Sequence, residues 1–450
     1  MSSPSRREFV KDASIVLGAF TIVPRHVLGR GYRAPSDTLN VACIGVGGMG
    51  YNDVKGMSTE NIYALCDVDE RQAERAYREW TKAKRYKDYR QMLEKEKSID
   101  AVTVTTPDHS HAAAAMMALK MGKHVYCQKP LARTVGEVRA LKEEAARRPE
   151  QATQMGNQGH AAEGARLTRE WVESGAIGTV QRVEFWTNRP IWPQGINRPT
   201  EMHNVPQTLD WDLWLGPAKE RPYHPGYAPF AWRGWWDFGT GAMGDMACHI
   251  MDGSFWTLGL KYPARVIPES SAIFAETAPK SSRITYEFPA QGERPAITFV
   301  WRDGGLYPAR PEEYGPERAW PPDPEGGALW IGDKGTLVAG TYGGDPQLCD
   351  PTKNDQLKAQ KLPEKYPRIR SGVGEAPPVY KEWITAIKNG GQPGSNFAGH
   401  AGPLTEMIVL GNLAVRSGRV IELDSETGAI KTPGIPNEWL MPAYRAGWNL

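Results

Sequence analysis

The sequence predicts an α/β protein in which a doubly wound parallel sheet is followed by an α+β domain with an open, mostly antiparallel sheet. Its 450 residues exceed what one hydrophobic core usually organises, so we expect two domains with extensions. Short apolar runs alternate with candidate helices between residues 39 and 130, as in a parallel sheet. From residue 154 the pattern changes to longer strand candidates. These changes place the domains at 36–152 and 153–430, with an extension at 1–35 and a tail at 431–450.

The charge balance excludes some classes of partner. Lys and Arg number 54 against 52 for Asp and Glu, which gives a formal net charge of +2. This balance produces no field that would favour nucleic acid or an anionic membrane. We therefore expect a small-molecule partner and no nucleic acid.

Residues 1–35 have the pattern of an export signal. Two arginines, Arg6 and Arg7, precede a short apolar stretch at 13–23, whose eleven residues cannot span a bilayer. The segment 5–11 resembles the twin-arginine signal Ser-Arg-Arg-x-Phe-Leu-Lys at six of seven positions. The alternative is a basic tail before a core helix. The resemblance implies export of the folded protein to the periplasm, without a stable membrane anchor.

A glycine-rich loop follows the first apolar run, at residues 39–44, and precedes a candidate helix. In a loop of this spacing the first glycine permits a tight turn, the second admits a pyrophosphate, and the third packs helix against strand. The N-terminus of the helix supplies free N–H groups for phosphate. The loop, which alone is weak evidence, consists of Gly45, Val46, Gly47, Gly48, Met49 and Gly50.

An acidic residue strengthens the dinucleotide interpretation. Asp67 ends the second apolar run, 22 residues after Gly45, where a carboxylate would bond the adenosine ribose hydroxyls. The same residue could also cap the helix that begins near Glu70. Because a carboxylate repels a 2′-phosphate, we expect NAD, while Arg71 leaves NADP open.

Two later segments carry further motifs. One is a turn with Thr106, Pro107 and His111, and the other is a run that ends in Gln128, Lys129 and Pro130. Together with the glycine loop they resemble the glucose-fructose oxidoreductase, inositol dehydrogenase and rhizopine catabolism (Gfo/Idh/MocA) family over about residues 38–425. The resemblance implies a Rossmann domain in which Thr106, Pro107, His111 and Gln128 contact the cofactor. It also places Lys129 between nicotinamide and substrate, before a commonly cis proline bond.

One position departs from the family pattern. The family usually has Glu before this lysine, and the sequence has Gln128. A neutral amide keeps its hydrogen-bonding capacity but removes an ion-pair partner, so we expect Lys129 to hold its proton less tightly.

The second domain carries a candidate catalytic pair. A helix expected over 245–257 places Asp245 and His249 on one face, and the family has this Asp-x-x-x-His pair. Oxidation of a secondary alcohol needs a base for the hydroxyl proton, and histidine titrates near working pH. We assign His249 as the base, Asp245 as its partner and substrate anchor, and Lys129 as the cation that stabilises alkoxide charge. An ordinary helical Asp–His hydrogen bond is the alternative.

Further pocket residues are assigned from their positions in the chain. Trp232 and Arg233 precede the catalytic helix and suit the faces and hydroxyls of a sugar ring, although core packing competes for the tryptophan. Asn157, Gln158 and His160 follow a strand candidate and are further pocket residues, of which we assign Asn157 to the cofactor and His160 to the substrate. His109 and His111 are two positions apart, but no further ligand stands in that turn, so no metal is expected.

These assignments lead to a nicotinamide-dependent oxidoreductase acting on a sugar, glycoside or polyol, with a tightly held NAD. The resemblance implies a homodimer or homotetramer formed through the open sheet. An NAD-dependent glycosidase that works by transient oxidation and elimination is the alternative, although its Tyr-Pro-Thr-His-Gly pattern is absent here. A non-catalytic sugar-binding protein is a third hypothesis. Strands are expected at 180–187, 285–288, 296–301, 328–332 and 335–339, and late helices at 379–389 and 403–417.

Overall fold

The computed structural model describes residues 37–450, so the predicted export signal lies outside the described residues. Residues 40–450 contain two β-sheets. The strands of the first sheet all lie before residue 156, and those of the second lie after residue 179. Within residues 37–450, no helix is long and apolar enough to cross a membrane.

The first sheet is parallel and has six strands in the order β3-β2-β1-β4-β5-β6. Its strands are β1 Asn40–Ile44, β2 Asn61–Cys66, β3 Lys84–Tyr86, β4 Ala101–Val104, β5 His124–Cys127 and β6 Thr153–Met155. Its helices are α1 Met49–Gly56, α2 Glu70–Glu79, α3 Tyr89–Lys95, α4 Asp108–Lys120 and α5 Val135–Ala146. Because β6 ends at Met155, the first domain extends beyond the predicted boundary at 152.

Local chemistry explains where several of these helices begin. Asp69 and Asp88 accept backbone N–H bonds at the starts of α2 and α3. Thr134 and Glu137 form a reciprocal capping box at the start of α5. Strands β1, β4 and β5 are buried and mainly apolar, so the centre of the sheet is covered on both faces and its loops collect at the strand ends.

The strand order reverses between β1 and β4, which lie side by side. In an open parallel sheet, ligands bind outside the carboxyl ends of the strands at this reversal. The glycine loop follows β1, Asp67 follows β2 and Thr105 follows β4. The fold therefore brings three of the sequence-assigned segments to one edge.

The second sheet has eight strands in the order β13-β12-β11-β7-β10-β9-β8-β14, antiparallel except for the β7–β10 pair. This confirms the expected open, mostly antiparallel sheet. The strands are β7 Val180–Thr187, β8 Arg265–Ser270, β9 Ser282–Phe288, β10 Ile297–Arg302, β11 Gly326–Gly332, β12 Thr336–Gly340, β13 Gln347–Leu348 and β14 Ile421–Glu422.

The helices that follow β6 in the chain pack partly against this sheet and partly against the first domain. They are α6 Glu163–Glu173, α7 Trp211–Leu215, α8 Gly241–Ile250, α9 Asp252–Leu258, α10 Pro351–Gln360, α11 Pro378–Asn389, α12 Gly402–Ser417 and α13 Asn437–Leu440. The helix expected over 245–257 is two helices, because α8 ends at Ile250 and α9 begins at Asp252. Buried side chains of α8 and α12 pack with the inner face of the sheet in one continuous core.

The C-terminal segment at 431–450 packs against the first domain. Trp448 is buried beside Tyr89 of α3, and the Tyr444 hydroxyl donates to Glu137 in α5 at 2.7 Å. Residues 431–450, which the sequence predicted to be a tail, are therefore anchored to the folded core through Trp448.

Candidate active site

The glycine loop fits closely between two backbone segments. Gly45 has φ +77°, and a Cβ there would lie 2.4 Å from the carbonyl oxygen of Thr105. A Cβ on Gly50 would lie 2.1 Å from the carbonyl oxygen of Gly45, so the third glycine lets α1 approach the strand. A Cβ at Gly48 would meet no atom within 4 Å, and with Gly47 and Met49 this residue lines an open cleft. The first and third glycines thus have the packing roles that the spacing predicts, while a Cβ on Gly47 would lie 2.7 Å from Gln72 Cβ and Gly48 offers the open position.

Asp67 lies beside the loop at the end of β2. Its Oδ2 accepts the N–H groups of Val46 at 2.8 Å and Gly47 at 3.2 Å, and its Oδ1 accepts that of Asp69. Burial raises the pKa of this carboxyl, and the three N–H donors oppose the change. Asp67 lines the cleft where the ribose was expected, and it also holds the loop, a contact that the sequence did not predict.

The turn after β4 is held by histidine. His111 Nδ1 lies 2.8 Å from the carbonyl oxygen of Pro130, and its Nε2 lies 2.8 Å from that of Thr106. Thr106, Pro107 and His111 all line the cleft, on the side expected for the cofactor. His109 points elsewhere, with its Nε2 2.9 Å from the carbonyl oxygen of Trp214. The two histidines therefore do not converge on a common point.

These loops and the second domain enclose a cavity of about 540 Å³. It extends from the glycine loop to α8, and its wall includes Lys129, Trp232, Arg233, Asp245 and His249. The structure therefore brings the three catalytic candidates and both predicted sugar contacts to the same cleft as the glycine loop.

Lys129 and Asp245 form the centre of the cluster. The Lys129 Nζ donates to Asp245 Oδ1 at 2.7 Å and to its backbone carbonyl at 2.9 Å. Arg233 Nη1 forms an ion pair with the same carboxylate oxygen at 3.0 Å. Although burial opposes ionisation, the two cations hold the pKa of Asp245 well below its usual range. The Lys129–Pro130 bond is cis, as the resemblance implies.

His249 is adjacent to this cluster. Its Nδ1 is buried without a hydrogen-bond partner among the described residues, and its ring packs edge-on against Tyr342 with 4.8 Å between centroids. Burial and the nearby Lys129 ammonium lower the pKa of His249 to about 3. The carboxylate of Asp245 thus bonds Lys129 and Arg233, whereas the sequence assigned it as the partner of His249. A neutral imidazole in the cleft is able to accept a proton.

The side-chain amide of Gln128 bonds Asp53, a partner that the sequence did not predict. Its Nε2 donates to both carboxylate oxygens of Asp53, at 3.0 and 3.1 Å. Asp53 is fully buried and also accepts the hydroxyls of Thr105 and Tyr380, each at 2.7 Å. An amide at 128 can donate to this carboxylate and an ionised glutamate cannot, which gives a physical reason for the departure from the family pattern. The ion-pair partner of Lys129 is Asp245.

Two residues that the sequence assigned to the cofactor and the substrate do not line the cleft. Asn157 and His160 lie away from the cleft and bind the buried Asp252 at the start of α9. Asn157 Nδ2 donates to Asp252 Oδ1 at 2.6 Å, and His160 Nδ1 lies 3.0 Å from Oδ2. His400 Nε2 lies 2.6 Å from Oδ1. Strand β6 does end at the correct edge and Gln158 lines the cleft, but Asn157 and His160 turn towards α9 and bond the buried Asp252.

His160, Asp252 and His400 are the one group in residues 37–450 whose side chains converge like metal ligands. However, ligands on a tetrahedral zinc ion stand about 3.3 Å apart, given bonds of about 2.0–2.1 Å. The 2.6 Å separation between His400 Nε2 and Asp252 is that of a hydrogen bond. Although burial opposes it, Asp252 raises the pKa of His160, while burial and His160 lower that of His400. The group is best described as a buried hydrogen-bonded network.

Sequence reasoning missed several residues of the cleft, and four of them bear on its chemistry. Asp108, at the start of α4, accepts the Thr240 hydroxyl at 2.6 Å and lies 3.8 Å from Arg233. Arg189, Phe230 and Tyr342 line the end near His249. Asp108 stands between two assigned residues, Pro107 and His111, and could have been proposed. The other three come from loops whose course no local pattern indicates.

The residues present fit a dinucleotide. The open side of Gly48, the first turn of α1 and the carboxylate of Asp67 lie along one side of the cleft. Lys129 and His249 lie at its other end, near the turn after β4. The glycine loop would hold the pyrophosphate, and Thr106, Pro107 and His111 would flank the nicotinamide half.

Comparisons with known proteins agree with this geometry. Two domain models of one oxidoreductase family, the NAD-binding Rossmann fold and the C-terminal alpha/beta domain, match residues 39–156 and 169–293. An inositol 2-dehydrogenase of Salmonella paratyphi B is 27% identical over 146 residues, 31% of this chain and 43% of that protein. The aligned region thus spans less than half of that relative's length.

Two other relatives differ in what they do. An alpha-N-acetylgalactosaminidase of Shewanella oneidensis is 30% identical over 165 residues, 30% of this chain and 36% of that protein. A levoglucosan dehydrogenase solved with NADH superposes with a TM-score of 0.57 at 18% identity, covering 86% of this chain and all of that one. At this identity the superposition shows the fold. Since the two domain models together match more than half of the chain, it belongs to the Gfo/Idh/MocA oxidoreductase family, whose Rossmann domain binds NAD.

Proposed function

We propose that the protein oxidises a hydroxyl-bearing carbon of a sugar or glycoside, as in a glycoside 3-dehydrogenase, and passes the hydride to NAD. The observation that carries the proposal is the convergence of Lys129, Asp245 and His249 on the cleft that the glycine loop lines. Relatives named inositol 2-dehydrogenase and levoglucosan dehydrogenase support a sugar or polyol as substrate.

The chain's own residues can supply the acid–base chemistry. We assign His249 to take the hydroxyl proton as the C–O bond becomes a carbonyl, because it lines the cleft and its Nδ1 has no hydrogen-bond partner among the described residues. Its lowered pKa keeps the imidazole neutral but weakens it as a base, so the transfer relies on the Lys129 charge beside the substrate oxygen. The Lys129 ammonium stabilises negative charge on the substrate oxygen, and Asp245, which is also paired with Arg233, holds that ammonium in place. Bound NAD supplies the acceptor for the hydride.

We further propose that NAD stays bound between turnovers. A segment of the second domain, residues 208–210, crosses the start of α2 beside Asp67. The Glu70 N–H donates to the Thr208 carbonyl at 3.0 Å, and the Asp210 N–H donates to the Val68 carbonyl at 2.9 Å. Trp448 lines the same end of the cleft. These contacts partly cover the adenosine side, and complete loss of NAD on simple desalting would contradict the proposal.

Export and assembly are proposals that rest on separate features. Residues 5–11 support a twin-arginine route to the periplasm, and double replacement of Arg6 and Arg7 by Lys should retain the protein in the cytoplasm. The resemblance to the family supports a homodimer or homotetramer, which light scattering of the purified protein would test.

The alternative function is an NAD-dependent glycosidase that oxidises, eliminates the aglycone and reduces again. The similarity to an alpha-N-acetylgalactosaminidase favours keeping it. Aryl glycosides separate the two functions: release of aglycone without net NADH indicates the glycosidase, and net NADH with a sugar panel indicates the dehydrogenase. In either case Lys129→Ala should abolish activity. Unchanged activity in Lys129→Ala would refute the catalytic assignment.

A further inference from the structure

Arg189 has an unusual position in the cleft. It lies just after β7, and its backbone is fixed, because its carbonyl oxygen accepts the Gly304 N–H at 2.7 Å. Its side chain lines the cavity. Among residues 37–450 it forms no ion pair, and its guanidinium donates through Nη1 to the neutral amide oxygen of Asn188. An arginine is therefore presented to the cavity with most of its donors free.

The other cations at this end of the cleft are neutralised. Lys129 and Arg233 share the Asp245 carboxylate, and Asp108 lies 3.8 Å from Arg233. Two carboxylates thus balance two cations, and His249 is neutral. Among the described residues in this half of the cleft, only the guanidinium of Arg189 lacks an oppositely charged partner. A ligand with a negative charge would supply that partner.

Aromatic side chains flank the same end of the cavity. Phe230 and Tyr342 line it with 53% and 49% of their surfaces exposed, so both rings are available to a ligand. The Tyr342 ring packs against His249 with 4.8 Å between centroids. Burial raises the pKa of the Tyr342 hydroxyl and Arg189 opposes the change, so the guanidinium lies near this ring. An exposed aromatic face suits the C–H surface of a sugar ring, and a ring packed on Tyr342 would have its substituents near Arg189.

We propose that the substrate is an acidic sugar, and that Arg189 binds its anionic substituent while the ring carbon to be oxidised faces Lys129 and His249. This inference rests on the proposed function and adds the chemical class of the substrate. A guanidinium binds a carboxylate, sulfate or phosphate through two parallel N–H donors, and such charge-assisted bonds are about twice as strong as neutral ones.

Binding, measured apart from turnover, tests the proposal. Calorimetry on the NADH-loaded protein compares D-glucose with D-glucuronate, D-galacturonate, glucose 6-sulfate and glucose 6-phosphate. We expect at least one acidic sugar to bind about 10- to 100-fold more tightly than glucose. The tightest of the four identifies the substituent. Its affinity should fall as salt rises, while that of glucose should not.

Three variants show whether Arg189 is responsible. Arg189→Gln should remove the preference for the acidic sugar and leave the affinity for glucose unchanged. Arg189→Glu should reverse the preference, so that D-glucosamine binds more tightly than D-glucuronate. The matched control is Arg265→Gln, which removes an exposed arginine paired with Glu287 on the second sheet and should leave all the affinities unchanged.

The outcomes separate this inference from the proposed function. Binding of an acidic sugar through Arg189 without NADH formation on turnover supports the inference and contradicts the proposed oxidation. Oxidation of neutral sugars, with glucose bound as tightly as every acidic probe, overturns the inference and leaves the proposed function standing. A preference for acidic sugars that survives in Arg189→Gln also overturns it.

Discussion

Replacing Gln128 with Glu is expected to destabilise the protein in a pH-dependent way. Gln128 Nε2 donates to both oxygens of Asp53, which is fully buried and bonded to Thr105 and Tyr380. Burial raises the pKa of Asp53 to about 6, against the effect of these donors. A glutamate at 128 would place a second carboxylate about 3 Å from the first, because it replaces the donating amide.

The magnitude follows from the lost donor and the new charge. Loss of one partner from a buried charged interaction costs about 3–5 kcal/mol, and we expect a cost in that range at pH 8. At lower pH the two carboxyls share one proton, which restores a hydrogen bond between them. The folded variant then binds a proton more tightly than the unfolded chain does. Its stability is therefore highest in acid and is lost as pH rises through the raised folded pKa.

Urea unfolding followed by tryptophan fluorescence at pH 5.5, 7 and 8.5 measures this effect. The matched control is the double variant Asp53→Asn, Gln128→Glu, in which the amide and the carboxylate have exchanged places. It should recover most of the lost stability, since the new amide at position 53 can donate to the new carboxylate at position 128. The reasoning is refuted if Gln128→Glu stays within about 0.5 kcal/mol of the parent at pH 8.5, or if the exchange restores nothing.

Three further predictions concern the cleft itself. Asp245→Asn should lower kcat/KM on the order of 10²-fold, because Lys129 and Arg233 lose their shared carboxylate. Steady-state NADH absorbance measures this, and unchanged kinetics would contradict it. His249 should remain neutral at pH 5, since its pKa is lowered to about 3. NMR of ¹⁵N-histidine-labelled protein, assigned with His249→Gln, tests this, and a charged ring at pH 5 would be the contrary result. Asp67→Ala should raise the Kd for NAD by about 10- to 100-fold, because the loop loses the acceptor for Val46 and Gly47. Calorimetry would show it, and an unchanged Kd would mean that the carboxylate does not support the loop.

The first domain could be predicted in detail because its chemistry is local. The glycine spacing, the carboxylate of Asp67 and the Lys129–Pro130 pair each follow directly after a buried strand. Parallel strands bring their carboxyl ends to one edge, so residues that are far apart in sequence meet there for a simple topological reason. Asp245 and His249 were found because a helix repeats every 3.6 residues and places i and i+4 together.

The same topological argument was wrong for Asn157 and His160, which also follow a strand of the first sheet. Their partner is Asp252, on a helix of the second domain, and its buried carboxylate is bonded by Asn157 and two histidines. Burying an unpaired carboxylate costs several kcal/mol of folding free energy, so the nearest side-chain donors bond to it. Nothing in the residues around 157–160 shows that such a charge lies close by. The positions of Arg189 and Tyr342 were not predicted either, because both residues lie in loops whose course the local sequence does not show.

The partner of Asp245 is the difference with the largest chemical consequence. An aspartate bonded to His249 would raise the pKa of the imidazole and favour its charged form. In the structure the carboxylate is already occupied by Lys129 and Arg233, so a proton on His249 would add a third cation around one shared anion. Burial and Lys129 therefore keep the ring neutral and at the same time weaken it as a base. In the proposed mechanism Lys129 therefore has two effects: its charge would stabilise the substrate oxygen, and the same charge lowers the pKa of His249.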